Sequence, residues 1–143
     1  MEKNDLSAAE WLDKAEAYFA RAEHCAADVR RKLYEWGTPS DLFDKIEESL
    51  YARDFLNDER YCRAYVHDKV EYQAWGRLKI QAGLRALQLP ERTIQAALEN
   101  IDETAYTRNL QSLIRQHKAD SENKRLRFLL QRGFLLTEIK KVQ

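Results

Sequence analysis

The sequence predicts an all-α protein. Leu occurs 18 times and Ala 17 times in 143 residues, whereas Val, Ile and Thr occur only 4, 6 and 5 times. Leu and Ala lose little side-chain freedom in a helix, while the scarce β-branched residues favour strands. The four Gly and two Pro also leave few positions for tight hairpins.

The first helix is predicted from Ser7 onward. Ser7 and Glu10 have the spacing of a capping box, in which each side chain accepts a hydrogen bond from the backbone of the other residue. Leu6 and Trp11 flank this pair at the positions of a hydrophobic staple. After a break near His24 and Cys25, the apolar residues Val29 and Leu33 predict a second helix, which ends at Gly37.

A third helix is predicted to begin around Thr38, with Thr38 as the N-cap and Pro39 in the first helical position. Its buried face contains Leu42, Phe43, Ile46 and Leu50. The same pattern of three helices then follows twice. The second set begins at Asn57 or Asp58, breaks at Gly76 and restarts at Pro90; the third is capped by Asp102, interrupted near His117 and stopped by Gly133.

Aligning the middle helices makes the repetition explicit. Leu33, Leu84 and Leu129 share one position, and Gly37, Gln88 and Gly133 share the helix stop six residues before Phe43, Ile94 and Ile139. The period is 51 and then 45 residues, in the range of helical repeats. We therefore predict three tandem three-helix repeats, similar to helix-turn-helix units, in an elongated, curved array. The predicted boundaries are 1–56, including an N-terminal extension, 57–101 and 102–143.

The formal net charge is zero, but the charges are distributed unevenly. Residues 1–56 have 13 acids and 8 bases, whereas residues 101–143 have 5 acids and 9 bases. Either the C-terminal part faces an anionic partner or the two ends face different partners, unless the charges only solvate helix surfaces. The chain shows no apolar stretch typical of a membrane helix or secretory signal, so we expect a cytoplasmic protein with no membrane partner.

No motif predicts catalysis or a cofactor. Cys25, Cys62 and three His are present, but there is no G-x-S-x-G elbow, no glycine-rich phosphate loop and no C-x-x-C pair. Acidic pairs such as Glu47-Glu48 lack the apolar surroundings that raise a carboxyl pKa for acid catalysis. We therefore expect no enzyme activity, no cofactor and no metal, and a function in surface recognition.

Basic residues on the middle helices are the recognition candidates, because most of them lie off the apolar stripes. Three equivalent cationic helices would suit phosphate or carboxylate partners, although basic clusters of this kind also serve solvation alone. Tyr72 and Trp75 either stack on nucleic-acid bases or pack in the core. The predicted interface residues are Arg30, Arg31, Lys32, Arg77, Lys79, Lys124, Arg125, Arg127 and Arg132.

Three segments resemble the RecX family of RecA regulators. Residues 24–33, HCAADVRRKL, are similar to the family pattern H-S-x-x-E-L-R-x-K-L, and residues 56–61, LNDERY, to L-D-D-x-R-F. Residues 127–134, RFLLQRGF, are similar to R-F-L-x-x-R-G-F. The resemblance extends from about Leu12 to Val142. One departure is Cys25 in place of the N-cap Ser, which should weaken the start of that helix because a thiol is a poor hydrogen-bond acceptor.

The resemblance implies a cytoplasmic protein that binds the RecA–DNA filament and limits its extension and its recombinase and ATPase activity. It implies weak contact, if any, with single- or double-stranded DNA alone, and we expect a monomer. Several matched residues are expected to be structural: Leu33, Phe128, Leu129 and Phe134 in the core, Gly133 in a turn, Asp58 as a cap and Arg60 in an ion pair.

Two other functions remain open. A direct DNA-binding helix-turn-helix protein would place one repeat in a DNA groove and show steep salt dependence without RecA. The neutral overall charge disfavours this as the main activity. A helical adaptor for an unrelated partner would affect neither DNA nor RecA.

Overall fold

The computed structural model describes residues 5–143, and these form helices joined by turns, with no strand among them. The predicted all-α class and its three successive helix triplets are confirmed. The helices are α1 (Ala8–Phe19), α2 (Ala26–Glu35), α3 (Phe43–Ala52), α4 (Asp58–Gln73), α5 (Arg77–Ala86), α6 (Glu91–Glu99), α7 (Glu103–Gln116), α8 (Glu122–Gln131) and α9 (Leu136–Val142).

The chain divides into two compact units, Met1–Tyr61 and Cys62–Gln143. The division falls in the first turn of α4, so the first unit contains the first triplet and the second unit contains nearly all of the other two. The predicted three-way boundaries after residues 56 and 101 stay a prediction.

The start of α1 has the predicted capping box. The Ser7 hydroxyl accepts the Glu10 amide N–H at 3.2 Å, and Glu10 Oε1 accepts the Ser7 N–H at 3.0 Å. Donation from the Ser7 backbone also lowers the pKa of Glu10, because it stabilises the carboxylate form.

Cys25 is the N-cap of α2, as the resemblance suggested, and is 1% exposed. Its backbone N–H donates to Asp28 Oδ2 at 3.3 Å, so the carboxylate three residues later supplies the reverse half of a capping box. Burial raises the pKa of the Cys25 thiol, which disfavours the thiolate.

The prediction for the start of the third helix was wrong in its details. Thr38 does not cap: its N–H donates to Leu33 O at 3.0 Å, so its backbone closes the end of α2. Pro39 then lies outside the helix in an extended conformation (φ −55°, ψ 131°), and a 3₁₀ turn over Ser40–Leu42 precedes α3. The Thr38 hydroxyl is buried and has no hydrogen-bond partner among the described residues, so it caps neither helix and α3 starts downstream.

The core of the first unit joins all three of its helices. Trp11 and Phe19 from α1, Leu33 from α2 and Leu50 from α3 are each at most 2% exposed. The cluster comprises Trp11, Ala15, Phe19, Val29, Leu33, Ile46, Leu50 and Leu56, with Phe43 packed partly buried at its edge.

The three helix stops have the same backbone geometry, which supports the repeat alignment. Gly37, Gln88 and Gly133 have φ of +74°, +62° and +100°. In each repeat the carbonyl four residues before the stop accepts the amide just after it: Thr38 N–H to Leu33, Leu89 to Leu84 and Phe134 to Leu129, at 3.0, 3.4 and 3.2 Å. Such bonds satisfy the last carbonyls of a helix.

Asn57 begins α4, which decides between the two predicted caps. Asn57 Oδ1 accepts the Arg60 N–H at 2.9 Å, whereas Asp58 is already helical and accepts the Tyr51 hydroxyl at 2.7 Å. The expectation that Asp58 caps was therefore wrong. Arg60 pairs with Glu23 at 2.6 Å and Asp54 at 3.1 Å, which confirms its structural ion-pair role.

Within the second unit, the turn between α8 and α9 packs directly on the start of α5. The Gly76 N–H donates to Arg132 O at 2.9 Å, and the Leu78 N–H donates to Gly133 O at 3.0 Å. A Cβ on Gly76 would lie 2.2 Å from the Gly133 carbonyl carbon, so only glycine fits this approach. The third triplet thus satisfies amides at the start of α5, which explains why both triplets share one unit.

In the rest of the second unit, the predicted cap Asp102 and the predicted core residue Phe134 are confirmed. Asp102 caps α7, accepting the Thr104 and Ala105 amides at 3.0 and 3.2 Å. Phe134 is fully buried and its ring lies 5.4 Å from that of Tyr106. Leu78, in the first turn of α5, is 47% exposed, whereas Ile80 and Leu84 of the same helix are fully buried.

Candidate functional site

Arg30, on α2, is held by acids of the following helix. Its guanidinium donates to Asp44 Oδ1 at 2.6 Å and to Glu47 Oε1 at 2.8 Å. These hydrogen bonds, the one to Asp44 most strongly, raise the pKa of Arg30 because they stabilise its charged form. Arg30 thus ties α2 to α3, and its charge is neutralised locally.

Arg31 and Lys32 also pair with acids of their own helix. Arg31 lies 3.3 Å from Asp28 and 3.9 Å from Glu35, but its side chain is 66% exposed. Lys32 lies 3.7 Å from Glu35, and its ammonium is 4.9 Å from the centre of the Tyr18 ring. Of these two, Arg31 is the one that presents its charged group to solvent.

Arg77, at the start of α5, connects three elements of the second unit. Its guanidinium donates to Glu103 on α7 at 2.5 Å and to Glu138 on α9 at 2.8 Å, and it lies 4.5 Å from the Tyr106 ring centre. The Tyr106 hydroxyl accepts the Arg77 N–H and donates to Glu138. Burial raises the pKa of Tyr106, which keeps the phenol protonated as this network requires.

Lys79 is partly buried against Trp75. Its ammonium lies 4.5 Å from the centre of the Trp75 ring, within the range of a cation–π contact. Among residues 5–143, no carboxylate lies within ion-pair distance of it. Lys79 therefore differs from Arg77, which has two acidic partners.

Lys124 and Arg127 are the solvent-facing cations of α8. The Lys124 side chain is 70% exposed and its ammonium is 3.5 Å from Asp120. Arg127 is exposed and has no hydrogen-bond partner within the described part of the chain. The Arg127 guanidinium is therefore free to meet a partner surface, and the exposed Lys124 ammonium can do so in exchange for its contact with Asp120.

Arg125 and Arg132 contact backbone carbonyls. Arg125 Nη1 donates to Asp120 O at 3.2 Å, and Arg132 Nη2 donates to Gln73 O. Arg125 occupies the repeat position of Val29 and Ile80, which are both fully buried. These two arginines therefore help to hold turns and helix ends in place.

The structure brings only some of the nine predicted residues together. Lys79 and Arg132 come close together where the turn after α8 packs on α5, since the Gly76 N–H bonds to Arg132 O and Gly133 lies beside Lys79. The Arg77 side chain reaches Glu103 and Glu138 instead. Lys124 lies eight residues from Arg132, about 12 Å away along the helix axis. Arg30, Arg31 and Lys32 belong to the other unit.

Sequence reasoning missed Lys69, near the end of α4. Its ammonium lies 4.6 Å from the centre of the Trp75 ring, the same ring that Lys79 contacts. A left-handed residue, Ala74 (φ +51°), reverses the chain between them. Helical spacing alone gives no signal for this contact, because Trp75 is six residues from Lys69 and lies beyond the end of α4.

The burial of Phe128 and the exposure of Tyr72 also became clear only from the structure. Phe128, expected in the core, is only partly buried and stacks on His117 with ring centres 4.0 Å apart. Tyr72 is 76% exposed, so of the two aromatics considered for base stacking it is the one open to solvent.

The described residues offer little for catalysis. A groove of about 500 Å³ lies between α7 and α9, but its acids Glu103 and Glu138 are bound by Arg77. Within residues 5–143, no three His, Cys, Asp or Glu side chains form a group suited to a metal. In the same part of the chain, no helix is both long and apolar enough to cross a bilayer.

Comparison with known proteins identifies the family. A family model described as "RecX, second three-helix domain" matches residues 57–98. The regulatory protein RecX of Leptothrix cholodnii is 30% identical over 135 residues, covering 90% of this chain and 84% of the relative. The chain belongs to the RecX family.

Other RecX proteins match to different extents. The regulatory protein RecX of Prosthecochloris aestuarii is 27% identical, with 86% of this chain and 84% of the relative aligned. That of Geobacillus kaustophilus is 31% identical over 73% of this chain, but the match spans only 39% of the relative's length.

Two solved structures share the fold. A crystal structure of regulatory protein RecX superposes with a TM-score of 0.78 at 21% identity, covering 94% of this chain and 72% of that one. RecX from Lactobacillus salivarius gives a TM-score of 0.79 at 20% identity, covering 94% of this chain and 93% of that one.

Proposed function

We propose that this chain binds the RecA filament assembled on DNA in the cytoplasm, and limits the extension of the filament and its recombinase and ATPase activity. The observation that supports this most directly is the alignment with a regulatory protein RecX over 84% of that relative's length. The proposal also includes a regulatory rather than enzymatic role, in agreement with the way the relatives are named.

The charged surface suggests which residues would contact the filament. Arg31, Lys124 and Arg127 expose their charged groups, so they can approach acidic protein loops or phosphates without leaving strong internal partners. Arg30, Arg77, Arg125 and Arg132 hold internal contacts and would act by keeping the helices in position. Several weak contacts along a repetitive filament reinforce one another through effective concentration.

The proposal is tested by titrating the protein into RecA filaments on single-stranded DNA and measuring ATP hydrolysis. We expect inhibition by the native chain, and a Lys124→Gln/Arg127→Gln variant should need about five- to tenfold more protein for the same effect, as loss of two exposed interfacial charges implies. The matched control is Arg92→Gln/Arg108→Gln, which removes two exposed charges from α6 and α7.

Equal inhibition by the native chain, the α8 variant and the control would remove α8 from the interface. Absence of any effect of the native chain on filament ATPase and filament length would overturn the RecA proposal itself. DNA binding without RecA, with a steep salt dependence, would in that case favour the direct DNA-binding alternative.

A further inference from the structure

Two lysines of the second unit share one aromatic ring. The ammonium groups of Lys69 and Lys79 lie 4.6 and 4.5 Å from the centre of the Trp75 indole. They are therefore no more than about 9 Å apart, which brings two positive charges onto one small surface. We call Lys69, Trp75 and Lys79 the lysine–tryptophan cluster.

No acid neutralises this cluster within residues 5–143. The reason is visible along both helices. The neighbours of Lys69 at three and four residues' distance on α4 are Tyr65, Val66, Tyr72 and Gln73, and those of Lys79 around α5 are Trp75, Gly76, Ala82 and Gly83. None is acidic, whereas Arg31 and Lys124 each have an acid at such a position.

A third cation lies beside the cluster. Arg132 donates to the carbonyl of Gln73, two residues before Trp75, and its partner there is neutral. Three cations without a carboxylate partner repel one another, and an anion that bound among them would relieve this repulsion. This surface therefore favours the binding of a negatively charged ligand.

The aromatic residues indicate the kind of anion. Lys69 and Lys79 both lie over the Trp75 ring, so the indole holds ammonium groups and is not available to stack on a base. Tyr72 follows Lys69 by three residues on the same face of α4 and is 76% exposed. Cationic groups beside an exposed aromatic ring are the arrangement by which proteins hold single-stranded nucleic acid.

We propose that the lysine–tryptophan cluster binds the phosphodiester backbone of single-stranded DNA, with Tyr72 stacking on an adjacent base. Lysine acts on phosphate as a point charge with three donors, and the unpaired ammonium groups give up no internal ion pair when they bind. This deepens the proposed function by giving the chain its own contact with the DNA of the filament. It can be measured without RecA, so its failure is distinguishable from failure of RecA binding.

The test is binding of a fluorescently labelled oligo-dT strand to the protein alone, measured by anisotropy across salt concentrations. For Lys69→Gln/Lys79→Gln we expect at least tenfold weaker binding, and a slope of log K against log salt that is smaller by about 1.4, since two phosphate contacts are lost. Tyr72→Ala should weaken binding about tenfold and leave the salt slope unchanged, because stacking releases no counterions.

The matched control is Lys140→Gln/Lys141→Gln, which removes two exposed charges from α9. It should change the affinity less than twofold, and Lys69→Arg/Lys79→Arg should restore binding because it keeps both charges. Far-ultraviolet circular dichroism establishes that each variant remains helical.

Three outcomes would overturn the proposal. Native affinity in the Lys69→Gln/Lys79→Gln variant would show that the cluster does not bind DNA. Equal weakening in the α9 control would show that net charge, and not this site, attracts the strand. Normal DNA binding together with weaker inhibition of RecA would assign the cluster to an acidic protein surface instead.

Discussion

The two units of this protein use their cations differently. Residues 1–61 have 15 acids and 9 bases, and residues 62–143 have 9 acids and 15 bases, so charges of −6 and +6 cancel in the whole chain. In the first unit, Arg30, Arg31 and Lys32 all pair with acids. In the second, Lys79 and Arg127 have no carboxylate partner within the described residues. Pairing and exposure together, more than the number of charges, distinguish cations that hold the fold from those that a partner can reach, since Arg31 is paired and yet 66% exposed.

The glycines that stop the middle helices also differ between the two units, in how closely other residues pack on them. Gly37 and Gly133 occupy the same repeat position, yet a Cβ on Gly37 would meet nothing within 4 Å, while one on Gly133 would lie 2.5 Å from Lys79 Cβ. At Gly37 glycine is therefore favoured only by the positive φ, whereas at Gly133 it is required also because Lys79 packs too closely for a Cβ.

The largest expected effect concerns the buried leucines. Leu84→Ala and Leu33→Ala should each lower the free energy of unfolding by about 2–5 kcal/mol, because both side chains are fully buried. Amide hydrogen exchange should then accelerate in α1–α3 for Leu33→Ala, and in α5, α8 and α9 together for Leu84→Ala. Unchanged protection of α8 and α9 in the second variant would contradict the single unit over 62–143.

Gly133→Ala should be more destabilising than Gly37→Ala. Alanine at Gly37 must adopt φ +74°, which costs about 1–2 kcal/mol, whereas alanine at Gly133 must also displace Lys79, adding about 1–3 kcal/mol. Chemical denaturation of both variants measures the difference. Similar losses in the two would show that the turn after α8 can move away from α5.

The ion pairs of Arg77 and Arg31 are expected to contribute unequally to the free energy of unfolding. Arg77→Met should lower the free energy of unfolding by about 2–4 kcal/mol, since it removes the cationic partner of the partly buried Glu138 and the guanidinium that lies over the Tyr106 ring. Arg31→Met should change it by less than about 0.5 kcal/mol, because the side chain is 66% exposed. Thermal unfolding followed by circular dichroism checks both, and equal effects would remove the distinction between structural and displayed cations.

The smallest expected effect concerns the titration of the exposed Glu91 carboxyl, which Arg85 binds. Hydrogen bonds from Arg85, at 2.7 and 2.9 Å, lower the pKa of Glu91 to about 2 from 4.5. Because the folded pKa is the lower one, this pair stabilises the fold above about pH 4.5, and its contribution is lost as the pH falls towards about 2. Carboxyl NMR titration should find this low value in the native chain and a higher one in Arg85→Gln, where the hydrogen bond from Gln95 still lowers the pKa in part.

Much of the fold follows from local signals in the sequence. The hydrogen bonds of Ser7 with Glu10, of Asp102, and of the stops at Gly37 and Gly133 join residues two to five positions apart, so their geometry is already implied by their spacing. The start of α3 could not be predicted as well, because Thr38 and Pro39 also fit an extended connection, and the structure has this connection between the end of α2 and a 3₁₀ turn. The exposure of Leu78 likewise depends on which elements pack nearby.

The candidate site depended on contacts between distant residues. Arg77 binds Glu138, 61 positions away, and Arg132 binds Gln73 O, 59 positions away. The sequence has no periodic signal for contacts over such separations. The sequence by itself determined the helices, several of their caps and the threefold repetition, because those interactions are local. Only the tertiary structure decided which cations are neutralised and which remain for a partner, because an ion pair depends on distances that packing alone sets.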